Sequence, residues 1–129
     1  MSFDWPDYLA LAQALGGDDS AAPTEEARLR SALSRAYYAV YGTARAVAKA
    51  HDGYVPQRFE TSHQGLINHF KASPDRVRKS IGANLERMQK NRVRADYEPR
   101  FHGDLNFEVG LMLRMGADVL VTLNSLRGP

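Results

Sequence analysis

Residues 24–51 read TEEARLRSALSRAYYAVYGTARAVAKAH, and this stretch decides the fold. It contains no proline and a single glycine, Gly42, and its two leading glutamates suit the positive end of a helix dipole. Apolar side chains recur at spacings of three and four residues, as one face of a helix requires. The stripe consists of Leu29, Leu33, Ala36, Val40, Ala44 and Val47. The pattern predicts one long helix that packs against several others.

Helical periodicity continues through most of the remaining chain, and strand-like alternation is nearly absent. We expect Asp4 to cap the first helix and Gly16–Gly17 to end it. The signal Ser73-Pro74-Asp75 predicts the start of the fourth helix, with Ser73 as its cap, and Pro99 marks its end. The predicted helices cover residues 6–15, 24–51, 62–71, 75–97 and 106–126, separated by a polar linker at 18–23 and a loop at 54–61. Residues 1–129 are therefore predicted to form a single domain, an all-α up-and-down bundle of four main helices plus one short helix.

Composition excludes several classes of protein. The chain has no cysteine, so disulfide frameworks, thiolate metal sites and cysteine nucleophiles are excluded. The sequence lacks GxGxxG, P-loop and HExxH motifs, and its four histidines are scattered among different segments, so we predict neither a cofactor nor a metal site. No stretch is long, apolar and uncharged enough to span a membrane, and the N-terminus lacks the basic and apolar parts of a signal peptide. A cytoplasmic protein is the expectation.

The charge is unevenly distributed along the chain. Residues 1–26 carry six acidic and no basic residues, whereas residues 76–100 carry eight basic and three acidic residues. A basic segment of this kind is typical either of a surface that attracts polyanions or of an ordinary solvated helix face.

The end of the fourth helix breaks its own apolar stripe. The stripe is Ile81, Leu85 and Met88, and the next position on the same face is Arg92. An arginine is costly to bury unless it is paired. Asp96 is four residues further on and can reach back to Arg92, and Tyr97 follows it. Two interpretations stay open: a structural pair that satisfies the helix end, or a site where Arg92 binds an anion.

The long helix contributes more polar groups to the predicted core. Arg35 and Tyr38 lie near one of its faces, where they are candidates for ligand binding beside Arg92, Asp96 and Tyr97. Tyr37 and Tyr41 lie on the apolar stripe, and we expect them to be packing residues that make one hydrogen bond each.

Three segments together resemble a known family. SRAYYAVYGTARAV at residues 34–47, SHQGLINHF at 62–70 and RVRADYEP at 92–99 are similar, in this order, to small prokaryotic members of the HEPN superfamily, the higher eukaryotes and prokaryotes nucleotide-binding domain. The resemblance covers roughly residues 5–126. It implies a helical bundle, a homodimer, and metal-independent ribonuclease activity in a toxin–antitoxin or phage-defence module. It also implies a cognate minimal nucleotidyltransferase as a partner.

The family's active site contains an arginine followed, after four to six residues, by a histidine. Arg92 matches the arginine, but Tyr97 stands where the histidine is expected, and a phenol is a poor general base at neutral pH. Arg58 and His63 also have this spacing and form the alternative catalytic pair, with His63 as acid or base and Arg58 holding phosphate. Two functions remain open: an RNA-directed protein in which Arg92 binds phosphate and Tyr97 contacts a base or ribose, or a non-catalytic module that binds a nucleotide or the nucleotidyltransferase.

Dimerisation is a direct prediction. The second and fifth helices carry broader apolar stripes than a lone bundle of this size needs, and the resemblance implies dimers. We expect light scattering to give twice the chain mass of 14.4 kDa. A monomer at micromolar concentration would contradict this prediction.

Overall fold

The computed structural model describes residues 5–17, 25–58 and 60–127. Within these ranges the chain forms five helices and no strand, which confirms the predicted all-α bundle. The helices are α1 (Asp7–Gly17), α2 (Glu25–His51), α3 (Ser62–Lys71), α4 (Arg76–Tyr97) and α5 (Leu105–Ser125). None of the described helices is both long and apolar enough to cross a membrane.

Helix α2 is the centre of the bundle. It packs against α1, α4 and α5, while α3 packs mainly against α4. Every residue of the predicted α2 stripe is buried, at most 5% exposed. The largest fully buried side chains come from α2 and three of its neighbours: Tyr37, Phe70, Leu85, Met88, Met112 and Leu123. Burial of each large apolar side chain contributes about 1.5–3 kcal/mol, so the core holds the helices in place.

Short polar side chains cap three of the helices. Thr61 accepts a hydrogen bond from the Gln64 backbone N–H at the start of α3, and Asp104 accepts one from Phe107 at the start of α5. At α4 the cap is Asp75, not Ser73 as the sequence suggested. Its carboxylate accepts from the Val77 N–H at 3.2 Å, whereas the Ser73 hydroxyl accepts from the Asp75 N–H itself. An ionised acceptor is the stronger partner for a helix start.

Helix α1 extends two residues beyond the predicted end and includes both glycines. Buried Arg28 of α2 donates from Nη1 to the Leu15 carbonyl at 2.7 Å, which satisfies an acceptor near the helix end. A Cβ on Gly16 would meet Val109, Leu113 and Ala32 at 3.4–3.6 Å, which are ordinary contacts, so helix packing does not require glycine there. The predicted Asp4 cap, the linker at 18–23, and Thr24 lie outside the described residues.

Gly82 lies where α4 passes closest to the end of α3. A Cβ at this position would be 2.7 Å from the Lys71 backbone N and 3.1 Å from the Phe70 carbonyl carbon. Backbone atoms at such distances cannot move aside without shifting a helix. The α3–α4 contact therefore depends on glycine at residue 82.

We expect Gly82→Ala to lower the free energy of unfolding by about 2 kcal/mol, because the added methyl forces α3 away from α4. Gly116→Ala is the matched control. Its Cβ would meet the Met88 Cε at 3.5 Å, an ordinary contact, and alanine favours a helix by up to about 1 kcal/mol. Chemical denaturation of the two variants checks this. Equal stability of both would contradict the close approach.

Candidate functional site

Arg92 is buried between α4 and α2. Its side chain is only 7% exposed, and its guanidinium carbon lies 5.4 Å from the ring centroids of both Tyr37 and Tyr38. These are cation–π distances. Nη2 donates to the Gln89 side-chain oxygen at 2.9 Å, and Nη1 donates to Asp96 Oδ2 at 3.4 Å. Hydrogen bonds and aromatic faces thus compensate the burial of the positive charge.

His63 joins the same group from the start of α3. Its Nδ1 is 2.6 Å from the Tyr37 hydroxyl, and its ring centroid lies 4.5 Å from that of Tyr41. Tyr41 also stacks on Tyr37, with ring centroids 5.8 Å apart. We call this group the Arg92 site and define it as Arg92, Tyr37, Tyr38, Tyr41 and His63.

The site shifts the pKa values of Tyr37 and His63. Burial raises the pKa of the Tyr37 phenol, although the nearby Arg92 charge lowers it by a smaller amount. Burial and the Arg92 charge both lower the pKa of His63 below the ordinary 6.5. At neutral pH, Tyr37 therefore keeps its proton and His63 is neutral. A neutral imidazole beside a fixed positive charge can accept a proton from a substrate.

Two further predicted residues lie at the rim of the site. Asp96 pairs with Arg92 as the four-residue spacing predicted, and it accepts a hydrogen bond from Ser34 Oγ at 3.4 Å. Tyr97 is 72% exposed, with its ring centroid 6.0 Å from the guanidinium carbon of Arg92. Asp96 and Tyr97 therefore lie between Arg92 and solvent.

The remaining predicted residues lie elsewhere. Arg35 is exposed, and its guanidinium lies over Tyr8 of α1, 5.5 Å from the ring centroid. Arg58 is exposed in the turn before α3. Tyr37 contacts both His63 and Arg92. The site therefore combines Arg92 from one predicted catalytic pair with His63 from the alternative pair.

Sequence reasoning missed the role of Tyr37 and Gln89. Tyr37 was expected to pack and to make one hydrogen bond, and it does both, but no spacing in the chain shows that its partner is His63. Gln89 is three residues before Arg92, a helical spacing that was compatible with contact. Glutamine at such a position is too common to single out.

A second polar cluster holds the far end of α2 to α4. Arg78 donates from Nε and Nη2 to the carboxylate of Asp52, at 2.7 Å for the shortest contact, and from Nη1 to Asp75 at 2.8 Å. His69 Nε2 contacts the same Asp52 at 2.9 Å. The hydrogen bonds from Arg78 lower the pKa of Asp52, with a smaller contribution from His69, while burial opposes them. Arg78 of the basic segment is therefore engaged within the protein.

No group of three histidine, aspartate or glutamate side chains suited to a metal ion occurs in the part of the chain that the structure describes.

Comparison of the chain with protein-family models, curated proteins and solved structures gives no match. The HEPN resemblance thus stays a prediction from the three motif segments.

The cluster formed by Asp52, Arg78, Asp75 and His69 should make the stability of the fold depend on pH. Because the folded pKa of Asp52 lies below its ordinary value, its carboxylate stabilises the fold above about pH 4, and this contribution is lost as pH falls through the folded pKa. We expect Asp52→Asn to lower the free energy of unfolding by about 2 kcal/mol at pH 7 and by much less at acidic pH. Urea denaturation at several pH values measures both.

The control is Asp118→Asn, because Asp118 is exposed on α5. It should change stability little at any pH. If Asp52→Asn matched this control at pH 7, the cluster would not stabilise the fold.

Proposed function

We propose that this chain is a cytoplasmic, RNA-directed HEPN-like protein of a toxin–antitoxin or defence-type module, and that it cleaves single-stranded RNA at the Arg92 site without a metal. One observation carries the proposal: a neutral histidine and a buried arginine share the same tyrosine. Tyr37 bonds His63 through its hydroxyl and faces Arg92 with its ring. A proton acceptor and a fixed positive charge are the two groups that RNA transesterification needs.

In the proposed reaction, His63 removes the proton from a ribose 2′-hydroxyl. The 2′-oxygen bonds to the adjacent phosphorus while the bond from phosphorus to the 5′-oxygen breaks. The leaving 5′-oxygen takes a proton from water, and His63 then releases the proton it gained to solvent. The products are a 2′,3′-cyclic phosphate and a 5′-hydroxyl. Arg92 stabilises the extra negative charge on the phosphate oxygens. Tyr37 holds His63 in position by accepting a hydrogen bond from Nδ1–H, and this tautomer leaves the Nε2 lone pair to take the substrate proton.

Access to Arg92 is through its weakest contact. The 3.4 Å separation between Arg92 Nη1 and Asp96 Oδ2 exceeds the usual hydrogen-bond length. A phosphate oxygen replaces Asp96 at Nη1 while Gln89 keeps its hydrogen bonds from Nε and Nη2. Tyr97 lies at the entrance to stack on a base or contact a ribose.

The test incubates purified protein with single-stranded RNA in EDTA and identifies the cleaved ends. We expect His63→Gln to reduce the cleavage rate by about 100-fold or more, as the loss of a general base does. Arg92→Gln should abolish cleavage as well. The acid limb of the pH–rate profile should lie below pH 6.5, because the pKa of His63 is lowered.

Two exposed residues supply matched controls, and both variants should retain activity: His102→Gln for the histidine and Arg87→Gln for the arginine. RNA with 2′-deoxyribose at the cleaved position should resist. Intact RNA after incubation with folded wild-type protein would contradict catalysis.

A second function is non-catalytic binding of a nucleotide or of a cognate minimal nucleotidyltransferase. It is favoured because Gln89 and Asp96 already occupy donors of Arg92, and because Val93 and Tyr97 expose apolar surface next to it. Further exposed apolar side chains, Phe107 and Val121 on α5, support a homodimer or a partner-covered face. RNA binding without cleavage, or capture of the nucleotidyltransferase in a Tyr97-dependent manner, would favour this function.

A further inference from the structure

A second cleft lies on α2 beside the Arg92 site. Its volume is about 430 Å³, and it is lined by Trp5, Tyr41, Gly42, Arg45, Lys49 and Ser62, among others. Pockets that hold small ligands are of about this size. The proposed function gives no role to Trp5, Arg45 or Lys49, which line this cleft.

Gly42 brings an aromatic ring onto the helix backbone at this cleft. A Cβ on residue 42 would lie 2.1 Å from Trp5 Cδ2, so only glycine allows the indole to lie there. Gly42 is also the only glycine in residues 24–51, and it is buried. Glycine inside a helix lowers stability relative to alanine, but here it lets the Trp5 indole line the same cleft as the Tyr41 phenol.

Two cations border these aromatic rings. Arg45 and Lys49 are four residues apart on α2, so they lie one above the other on one face, and both are exposed. In the ranges 5–17, 25–58 and 60–127, neither forms an ion pair. Aromatic rings beside unpaired cations are the combination that binds single-stranded nucleic acid, because bases stack on the rings and phosphates contact the cations.

The cleft adjoins the Arg92 site at two residues. Tyr41 lines the cleft and also lies 4.5 Å from the His63 ring, centroid to centroid. Ser62 lines the cleft and directly precedes His63 in the chain. A nucleotide in the cleft therefore lies beside His63, the proposed base.

We propose that this cleft is a subsite for one nucleotide of single-stranded RNA that flanks the phosphate bound at Arg92. Its base contacts Trp5 and Tyr41, and its phosphate contacts Arg45 and Lys49. The proposal rests on the proposed function for the identity of the ligand as RNA. It assigns a substrate preference as well: unpaired bases are required, because a base inside a duplex cannot stack on a side chain.

Trp5 is the only tryptophan of the chain, so its fluorescence reports on this cleft alone. The experiment titrates the protein with a short 2′-O-methyl RNA, which cannot be cleaved by attack of a 2′-hydroxyl. We expect quenching of Trp5 fluorescence by the single strand and none by the same sequence in a duplex.

The double variant Arg45→Gln/Lys49→Gln should weaken binding by about tenfold and reduce the salt slope of log affinity by about 1, since each single-strand phosphate contributes about 0.7. The matched control is Arg87→Gln/Lys90→Gln, which removes the same charge from two exposed residues of α4. It should change affinity less than about twofold. Equal losses in both double variants would show general attraction only and would overturn the subsite.

The two proposals can fail separately. Trp5 quenching that depends on Arg45 and Lys49, in a protein that never cleaves RNA, supports the subsite and overturns catalysis. Cleavage that is unaffected by the double variant, without quenching, supports catalysis and overturns the subsite. If adenosine monophosphate quenches Trp5 as tightly as the oligonucleotide does, the cleft is a site for free nucleotides and the RNA subsite is overturned.

Discussion

The buried guanidinium of Arg92 links the candidate site to the core of the protein. A positive charge in a helix interface is costly unless polar groups and aromatic faces surround it. Here two tyrosines of α2 and two side chains of α4 do so. Burial of His63 in the same site lowers the pKa of its imidazole, and the Arg92 charge lowers it further. Stability and the proposed chemistry therefore share one residue, and each variant of Arg92 needs a measurement of folding beside any measurement of activity.

Helix α2 also supplies hydrogen-bond donors to the ends of its neighbours. Arg28 bonds a carbonyl near the end of α1, and Arg30 donates to the carbonyls of Ala95 and Glu98 near the end of α4. Carbonyls at helix ends lack hydrogen-bond donors within the helix, and these two arginines provide donors for them. Because Asp96 and Tyr97 lie in that last turn of α4, Arg30 also holds the rim of the candidate site in place.

The Arg92 site and the neighbouring cleft differ in what they offer a ligand. The Arg92 site is enclosed, with a guanidinium already bonded and a neutral imidazole, which suits the bond-breaking part of a substrate. The cleft is open, with exposed cations next to aromatic rings, which suits positioning. If both proposals hold, α2 provides the binding surface and α4 provides the reacting charge, with His63 of α3 between them.

The sequence by itself determined the helices and the local contacts within them. Residues 62–71 form α3 as predicted, the buried stripe of α2 follows from its spacing, and Arg92 reaches Asp96 because they are four residues apart on one helix. Only the tertiary structure decided that His63 lies beside Tyr37, that Arg35 lies over Tyr8, and that Trp5 covers Gly42. The reason is physical. Helical periodicity fixes which side chains share a face, but the packing of side chains between helices decides which faces meet, and residues far apart in the chain carry no spacing that records it.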